Sequence, residues 1–543
     1  MPASDSSDAD VASRRSAREG LASSFRIVSL GTLFSRILGL ARDMLLASAF
    51  GAGPILDAFT LSFRLPNLAR QLFGEGALTA AFLPIFVREL RSEDPNGARQ
   101  LASAMFCGLA AVLAALVLIA ELGLFAALSF LDLSQNVRLL LILIAIQTPY
   151  LLCICLAAQL SAVLHSLRQF FWPALLPVCL NLVWLLGIAV AMLLNTTPEG
   201  RIQAVAVSVV VGGICQLSIA VWAVARAGYP LRRNFGPAWV RVREVATAML
   251  PIVLGFAVSQ LNVLVDSLVA WAAANTQVGA LLPIRIEPGT ATALFFGQRM
   301  YQFPLGIFGV ALGTVLFPLL ASHAQAGDQE GLRRDLAHGL KLTIAIGVPA
   351  SAGLAVLSGP ITNLLFRRGA FDESDAQLTA TMVAVYGTAV WAYIGVLIAY
   401  RAFYAIGDRL TPVRISVGIV LCNFVLNVAL VCLIGGVGLA IGGAVSAAVQ
   451  SVVASLMLQS RVGRLDWPEI AATGGKTVLA TIAMSVACVG ILQTLPGGES
   501  LGSRLAAVVL PMSAGMGVYL LMARAVGLSE PWELTGIAGR RRA

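Results

Sequence analysis

The chain has 543 residues, 58% of them hydrophobic and only 12% charged, with a formal net charge of +9. Soluble domains carry about 25% charged residues, so a mean hydropathy of +0.85 excludes a water-soluble globular enzyme and points to an integral membrane protein. The basic excess lacks the basic and aromatic interleaving of nucleic-acid binding, and anionic lipid headgroups are the nearer partner.

The polar start MPASDSSDADVASRRSAREG has neither an apolar core nor a cleavage site. Residues 1–19 therefore read as a disordered cytoplasmic tail and not as a signal peptide. Apolar runs follow near residues 25–50, 60–90, 100–130, 137–163, 170–195, 202–226 and 244–274, then near 291–321, 340–366, 376–406, 413–434, 437–460, 471–494 and 503–526. A helix needs about 20 residues to cross hydrocarbon, so this pattern predicts an all-α polytopic membrane protein of about fourteen spans.

Lys and Arg accumulate in the short loops that stay cytoplasmic. One set of alternate loops holds Arg88, Arg91, Arg99, Arg168, Arg226, Arg232, Arg233, Arg241 and Arg243, then Arg333, Arg334, Lys341, Arg409, Arg414, Arg461 and Arg464. Both termini join that set through Arg14, Arg15, Arg18 and Arg540 to Arg542, whereas the opposite loops have only Arg138, Arg201, Arg285, Arg367, Arg368 and Arg504. Both ends are expected in the cytoplasm, which agrees with an even number of spans.

The 8 cysteines all lie inside predicted spans without metal-like spacing and read as small packing residues. His165, His323 and His338 fall in or beside cytoplasmic loops. No phosphate loop of the GxxxxGK[ST] type is present, so ATP-driven pumping is not expected. Nor does a nucleophile-base constellation appear, so no enzyme is predicted.

Several charges fall inside spans: Arg36, Arg42, Asp43, Arg64, Arg70, Glu75, Asp266, Arg299 and Arg401. A charge at the bilayer centre costs about 2.5–3.5 kcal/mol on insertion scales, so these side chains should face a protein-lined aqueous cavity. Snorkelling to an interface is the alternative for Arg36 and Arg64. In the second span, DAFTLSFRLPNLARQLFGEGALTAAFLPIF, a bend is expected from Pro66, Gly74 and Gly76. Arg64 and Arg70 are six residues apart, roughly 240° around a regular helix, and do not share a face.

The blocks FSRILGLARDMLLASAFGAGPILDAF, RLPNLARQLFGEGALTAAFLPIF, FPLGIFGVALGTVLFPLLA, LLFRRGAF and AFYAIGDRLTPVRI resemble the MurJ/MviN family, the lipid II flippases of bacterial cell-wall synthesis. The similarity runs from residue 25 to about residue 460. It implies the fold of the multidrug/oligosaccharidyl-lipid/polysaccharide exporter superfamily: two pseudo-symmetric six-helix lobes around a central cavity, with two further helices bordering a lipid-tail groove. The lobes would be residues 20–230 and 240–462, the groove helices would lie in 470–527, and residues 528–543 would form a cytoplasmic tail. It further implies a multi-pass protein of the bacterial cytoplasmic membrane, with lipid II, membrane lipids and cell-wall synthesis or division proteins as partners.

By the same resemblance, the family's substrate-binding arginines fall on Arg36, Arg42, Arg70 and Arg299, and its acidic cavity and gating positions on Asp43, Asp57 and Glu75. Guanidinium suits a pyrophosphate because it stays charged and its planar fork meets phosphate oxygens bidentately. One departure is Gln298, where many relatives have Asp. Another is the long external loop NTQVGALLPIRIEPGT, residues 275–290, which either shapes an external gate or is a tolerated insertion. The small-residue stretches GIFGVALGTVLFP and GGVGLAIGGAVSAAV suit either tight helix packing or lobe movement.

Asp266 is a lone carboxylate deep in the seventh span, and Asn423 and Asn427 share a helix face four residues apart. With Ser446 or backbone carbonyls they could hold Na⁺ as a coupling ion, and some family members are thought to bind sodium at a similar place. The alternative is that Asp266 pairs with Arg401 while the asparagines cross-link helices. Two other functions stay open: a cation-coupled exporter of another lipid-linked oligosaccharide or drug on the same fold, and a non-transporting membrane scaffold.

Overall fold

The computed structural model describes residues 5–72, 77–92, 96–232, 235 and 238–533. Among these residues every regular element is helical, as the hydrocarbon requires of a chain that must satisfy its own backbone hydrogen bonds. In chain order the helices are α1 (Asp5–Phe50), α2 (Pro54–Ala69), α3 (Ala77–Leu90), α4 (Gly97–Phe130), α5 (Gln135–Ser166), α6 (Phe171–Leu193) and α7 (Pro198–Arg226). They continue with α8 (Ala238–Asn275), α9 (Thr290–Pro304), α10 (Val310–Ala326), α11 (Gln329–Val356), α12 (Ser358–Leu365), α13 (Glu373–Thr388) and α14 (Val390–Ala405). The last are α15 (Leu410–Ile434), α16 (Val437–Val462), α17 (Trp467–Thr494), α18 (Leu501–Ala525) and α19 (Glu530–Glu533).

Each expected span falls on one helix or on two consecutive ones. Among the described residues, 10 helices are long and apolar enough to cross a membrane, or 11 if α13 and α14, bent by 44°, count as one span. The second span continues as helix through Pro66 and is interrupted instead by a π turn at Arg70–Leu72, before the glycine pair. In the eighth span a π turn at Leu305–Gly309 follows Pro304, whose ring cannot continue the backbone ladder.

Helix also continues beyond the first and the last expected spans. Helix α1 begins at Asp5, before the first expected span. At the other end, the tail expected from residue 528 is packed through Glu533. Leu528 is buried, Glu530 accepts from Thr473 Oγ1 at 3.3 Å, and Glu533 pairs with His338 at 2.9 Å.

The chain divides into two compact units, one of residues 1–50 with 58–260, the other of residues 51–57 with 261–543. The core of the first gathers Phe82 and Phe86 of α3, Leu101 of α4, Leu160 and Val163 of α5 and Val224 of α7. Its α3 and α8 are tied by Arg241–Glu89 at 2.9 Å and Arg88–Glu244 at 2.7 Å. The core of the second gathers Leu336 of α11, Ile394, Ile398 and Phe403 of α14, and Leu458 of α16.

The small-residue stretches of the eighth and twelfth spans are sites of close packing. A Cβ on Gly313 would lie 2.7 Å from Arg401 Nη1, and one on Gly442 would lie 1.8 Å from Asn427 Oδ1.

Candidate functional site

The charges of the first span are resolved by a local pair. Arg42 and Asp43, 5% and 4% exposed, are adjacent in sequence and yet paired: Arg42 Nε and Nη2 donate to Asp43 Oδ1 at 3.0 and 2.7 Å. Arg42 Nη1 donates to Asn181 Oδ1 on α6 at 3.0 Å, and the guanidinium carbon stands 4.1 Å over the Trp184 ring. Asn181 in turn donates to the Ser35 carbonyl at 3.1 Å, and Trp184 is braced edge-on by Phe59 and Phe63. Helix α6 therefore supplies both a polar and an aromatic wall to the arginine. Three N–H groups of Arg42 are engaged, and a guanidinium carries five.

The other candidate arginines differ in setting. Arg36 is exposed on α1. Arg70 is half-buried at the π turn that ends α2, and its Nε and Nη2 donate to Asn67 Oδ1 at 3.2 and 2.9 Å. Glu75 lies outside the described residues. In the second unit Arg299 is half-buried on α9, its guanidinium carbon 5.2 Å from the Phe295 ring. Beside it Gln298 Nε2 donates to Tyr386 Oη at 3.2 Å, and Tyr301 stacks on Tyr393 at 4.2 Å. Arg401 donates to Thr314 Oγ1 at 3.3 Å.

Asp57 is fully buried and accepts four hydrogen bonds. Its Oδ2 takes the Gly289 N–H at 2.7 Å and Asn275 Nδ2 at 3.1 Å, while Oδ1 takes the N–H and the hydroxyl of Thr292, both at 2.7 Å. Gly289 and Thr292 are the cap and first-turn residues of α9, so a carboxylate from a distant part of the chain caps that helix. Gly289 has φ +95, a conformation that favours glycine, and a Cβ there would lie 2.6 Å from the Ala52 carbonyl. Both ends of the long 275–290 loop thus meet on Asp57. A second carboxylate, Asp375, accepts from the Ala52 N–H at 2.8 Å.

The four residues considered for a cation are drawn together. Asn427 Nδ2 donates to Asp266 Oδ1 at 2.7 Å and to Asn423 Oδ1 at 2.9 Å, and Asn423 Nδ2 donates to Ser446 Oγ at 2.9 Å. The asparagines therefore do cross-link α8, α15 and α16 by hydrogen bonds. Asn427 Oδ1 is buried and has no hydrogen bond among the described residues.

The sequence reading missed Asn181, Trp184, Asn275, Thr292, Asp375 and Tyr386. An available signal was Asn181, an amide in the apolar run CLNLVWLL.

Comparison with known proteins identifies the family. The family model for lipid II flippase MurJ matches residues 46–510. The chain is 32% identical over 446 residues to a Burkholderia cenocepacia protein named lipid II flippase MurJ, covering 80% of this chain and 83% of that one. It is 29% identical over 518 residues to a Rhizobium tropici protein named probable lipid II flippase MurJ, covering 93% and 94%. Among solved structures, a lipid II flippase MurJ in an inward closed conformation superposes with a TM-score of 0.72 at 23% identity over 91% of this chain and 97% of that one. A multidrug-resistance MATE transporter of the MOP superfamily shares the fold at a TM-score of 0.61 and 14% identity, covering 79% of this chain and 94% of that one. With the matched model spanning most of its length and relatives aligned nearly end to end, the chain belongs to the MurJ family of lipid II flippases.

Proposed function

We propose that the chain, a multi-pass lipid II flippase, holds the pyrophosphate of its cargo on Arg36, Arg42, Arg70 and Arg299, and that Asp57 clasps its external side shut. The observation that carries the first part is the Arg42 network. A guanidinium in an apolar span is costly unless paired, and Asp43, Asn181 and Trp184 hold this one charged and oriented while leaving N–H groups for an anion. Preorganised donors of this kind bind phosphate oxygens without reordering. Asp43 acts as the counter-charge that keeps Arg42 soluble in the apolar interior between cargoes. Glu75 joins the acidic positions by family resemblance alone.

The second part is supported by the four hydrogen bonds on Asp57 and by the long loop whose ends they join. Releasing that carboxylate uncaps α9, the helix that carries Arg299, so the clasp and the arginine are mechanically linked through one element.

The oxygen set of Asp266, Asn423, Asn427 and Ser446 fits a hard cation, since carboxylate, amide and hydroxyl oxygens are its natural ligands and one amide oxygen is buried without a partner among the described residues. Sodium bound there supplies a positive charge that offsets Asp266. A site that favours one conformation biases the cycle by its differential affinity. We place the protein in the bacterial cytoplasmic membrane with both termini in the cytoplasm, on the strength of its loop arginines.

The test is depletion and rescue. Depleting the protein should make lipid II accumulate on the inner leaflet, and the gene should rescue a flippase-deficient bacterium. Rescue by the parent but not by Ala variants of Arg42, Arg70 and Arg299 at normal expression supports the clamp. Failure of the parent itself to rescue, despite normal insertion, overturns the assignment of cargo.

A further inference from the structure

We infer that the ends of α11, α15 and α16 expected in the cytoplasm form a binding site for a phosphate ester, the headgroup of an anionic phospholipid or a soluble phosphate of similar size. A cavity of about 480 Å³ opens there, with Arg414, Arg461 and Thr411 among its polar walls and Leu332 and Leu410 among its apolar ones. Arg414 is exposed and makes no hydrogen bond or ion pair among the described residues. The cavity also contains Asp408, but that carboxylate is already engaged. Its Oδ1 takes the Thr411 N–H at 3.0 Å, and its Oδ2 takes the Thr411 hydroxyl at 2.7 Å and Arg461 Nε at 3.4 Å.

The hydrogen bonds from the Thr411 backbone and hydroxyl hold the Asp408 carboxyl below the usual carboxylate range. Asp408 therefore stays ionised and holds Arg461 by its Nε, while the Arg461 side chain lines the cavity. Two guanidinium groups against one carboxylate give a net positive lining. Nearby, Arg333 donates to the carbonyl of Gln329, a residue of the cavity wall, at 3.1 Å.

The position decides the ligand class. By the expected topology the cavity lies near cytoplasmic span ends, and basic pockets between membrane helices on that side suit anionic lipid phosphates. Arginine forks match phosphate oxygens. Leucine walls suit the glycerol and first acyl carbons of a lipid and add little for a bare inorganic anion.

The experiment titrates purified full-length protein in detergent with phosphatidylglycerol and with phosphatidylcholine of the same acyl chains, read by native mass spectrometry. Parallel titrations use glycerol 3-phosphate and inorganic phosphate, read by calorimetry. The parent should prefer phosphatidylglycerol. Arg414→Gln and Arg461→Gln should each weaken it roughly tenfold, the loss of a charge-assisted contact. Arg414→Lys should recover part of the loss, and Arg299→Gln should leave it unchanged, which separates this site from the cargo arginines. If glycerol 3-phosphate binds with the same sensitivity and neither lipid is preferred, the site stands and its ligand is soluble. Equal affinity in the parent and both Gln variants, each eluting as a native monodisperse peak, overturns the proposal, as does binding of none of the phosphate anions.

Discussion

The clasp on Asp57 gives the most direct test of the external closure. In Asp57→Asn one carboxylate oxygen becomes an NH₂ group, so the donors of one side, either the Thr292 pair or the Gly289 and Asn275 pair, face another donor. Two charge-assisted hydrogen bonds at about 1.5 kcal/mol each amount to about 3 kcal/mol. At 1.4 kcal/mol per decade this is roughly a hundredfold shift from clasped to open. Asp57→Ala removes both acceptors and should shift it further. Hydrogen–deuterium exchange reads the effect at the atoms concerned, because the Gly289 and Thr292 amides are themselves clasp donors. A peptide covering residues 285–294 should exchange slowly in the parent and roughly a hundredfold faster in Asp57→Asn, with lower flipping in the same preparation. Exchange in both variants within about threefold of the parent would refute the idea that Asp57 holds the loop ends together.

Arg42→Lys keeps the charge but not the fork that reaches Asp43 and Asn181 together, so it should insert normally and flip poorly, with Arg42→Ala worse. Full growth support by the Ala variants of Arg42, Arg70 and Arg299, each at normal levels, would end the clamp model. Sodium should raise the thermal stability of the purified protein while potassium does not, and the rise should vanish in Asp266→Asn. The same rise in both proteins, or none, leaves Asp266 as a structural carboxylate. Gly442→Ala puts a methyl 1.8 Å from Asn427 Oδ1, so it must displace that amide and should also abolish the sodium response. For topology, a cysteine near Arg232 should resist a membrane-impermeant thiol reagent in intact cells while one near Arg285 reacts; equal labelling contradicts the orientation.

The spans were legible in the sequence because apolar length is a physical requirement of the bilayer, and each expected run does fall on helix. The buried charges were legible for the same reason: Arg42, Asp43 and Asp266 are conspicuous where charge is expensive. Their partners were not. Nothing in the spacing of Arg42 and Asn181, or of Asp57 and Thr292, foretells that they meet, since hydropathy fixes helices and leaves their rotations open. The adjacency of Arg42 and Asp43 also concealed their pairing, because neighbours on a helix do not ordinarily face each other. Glu121 was overlooked in the apolar run of α4, where its Oε1 is buried without a hydrogen bond among the described residues. In the second span, where Pro66, Gly74 and Gly76 signalled a bend, the α-helix gives way after Ala69 to a π turn.

The last two spans are fastened along their length. Near one end Arg504 donates to the carbonyls of Asn363 and Arg367; midway Tyr519 donates to the Ala345 carbonyl; near the other end Lys341 meets Glu469 and His338 meets Glu533. Helices α17 and α18 are therefore riveted to α11 and α12 rather than hinged on them. A prenyl chain lying against such a surface would slide along a stationary rail, and whatever rearrangement carries the headgroup across need not drag the tail's track with it.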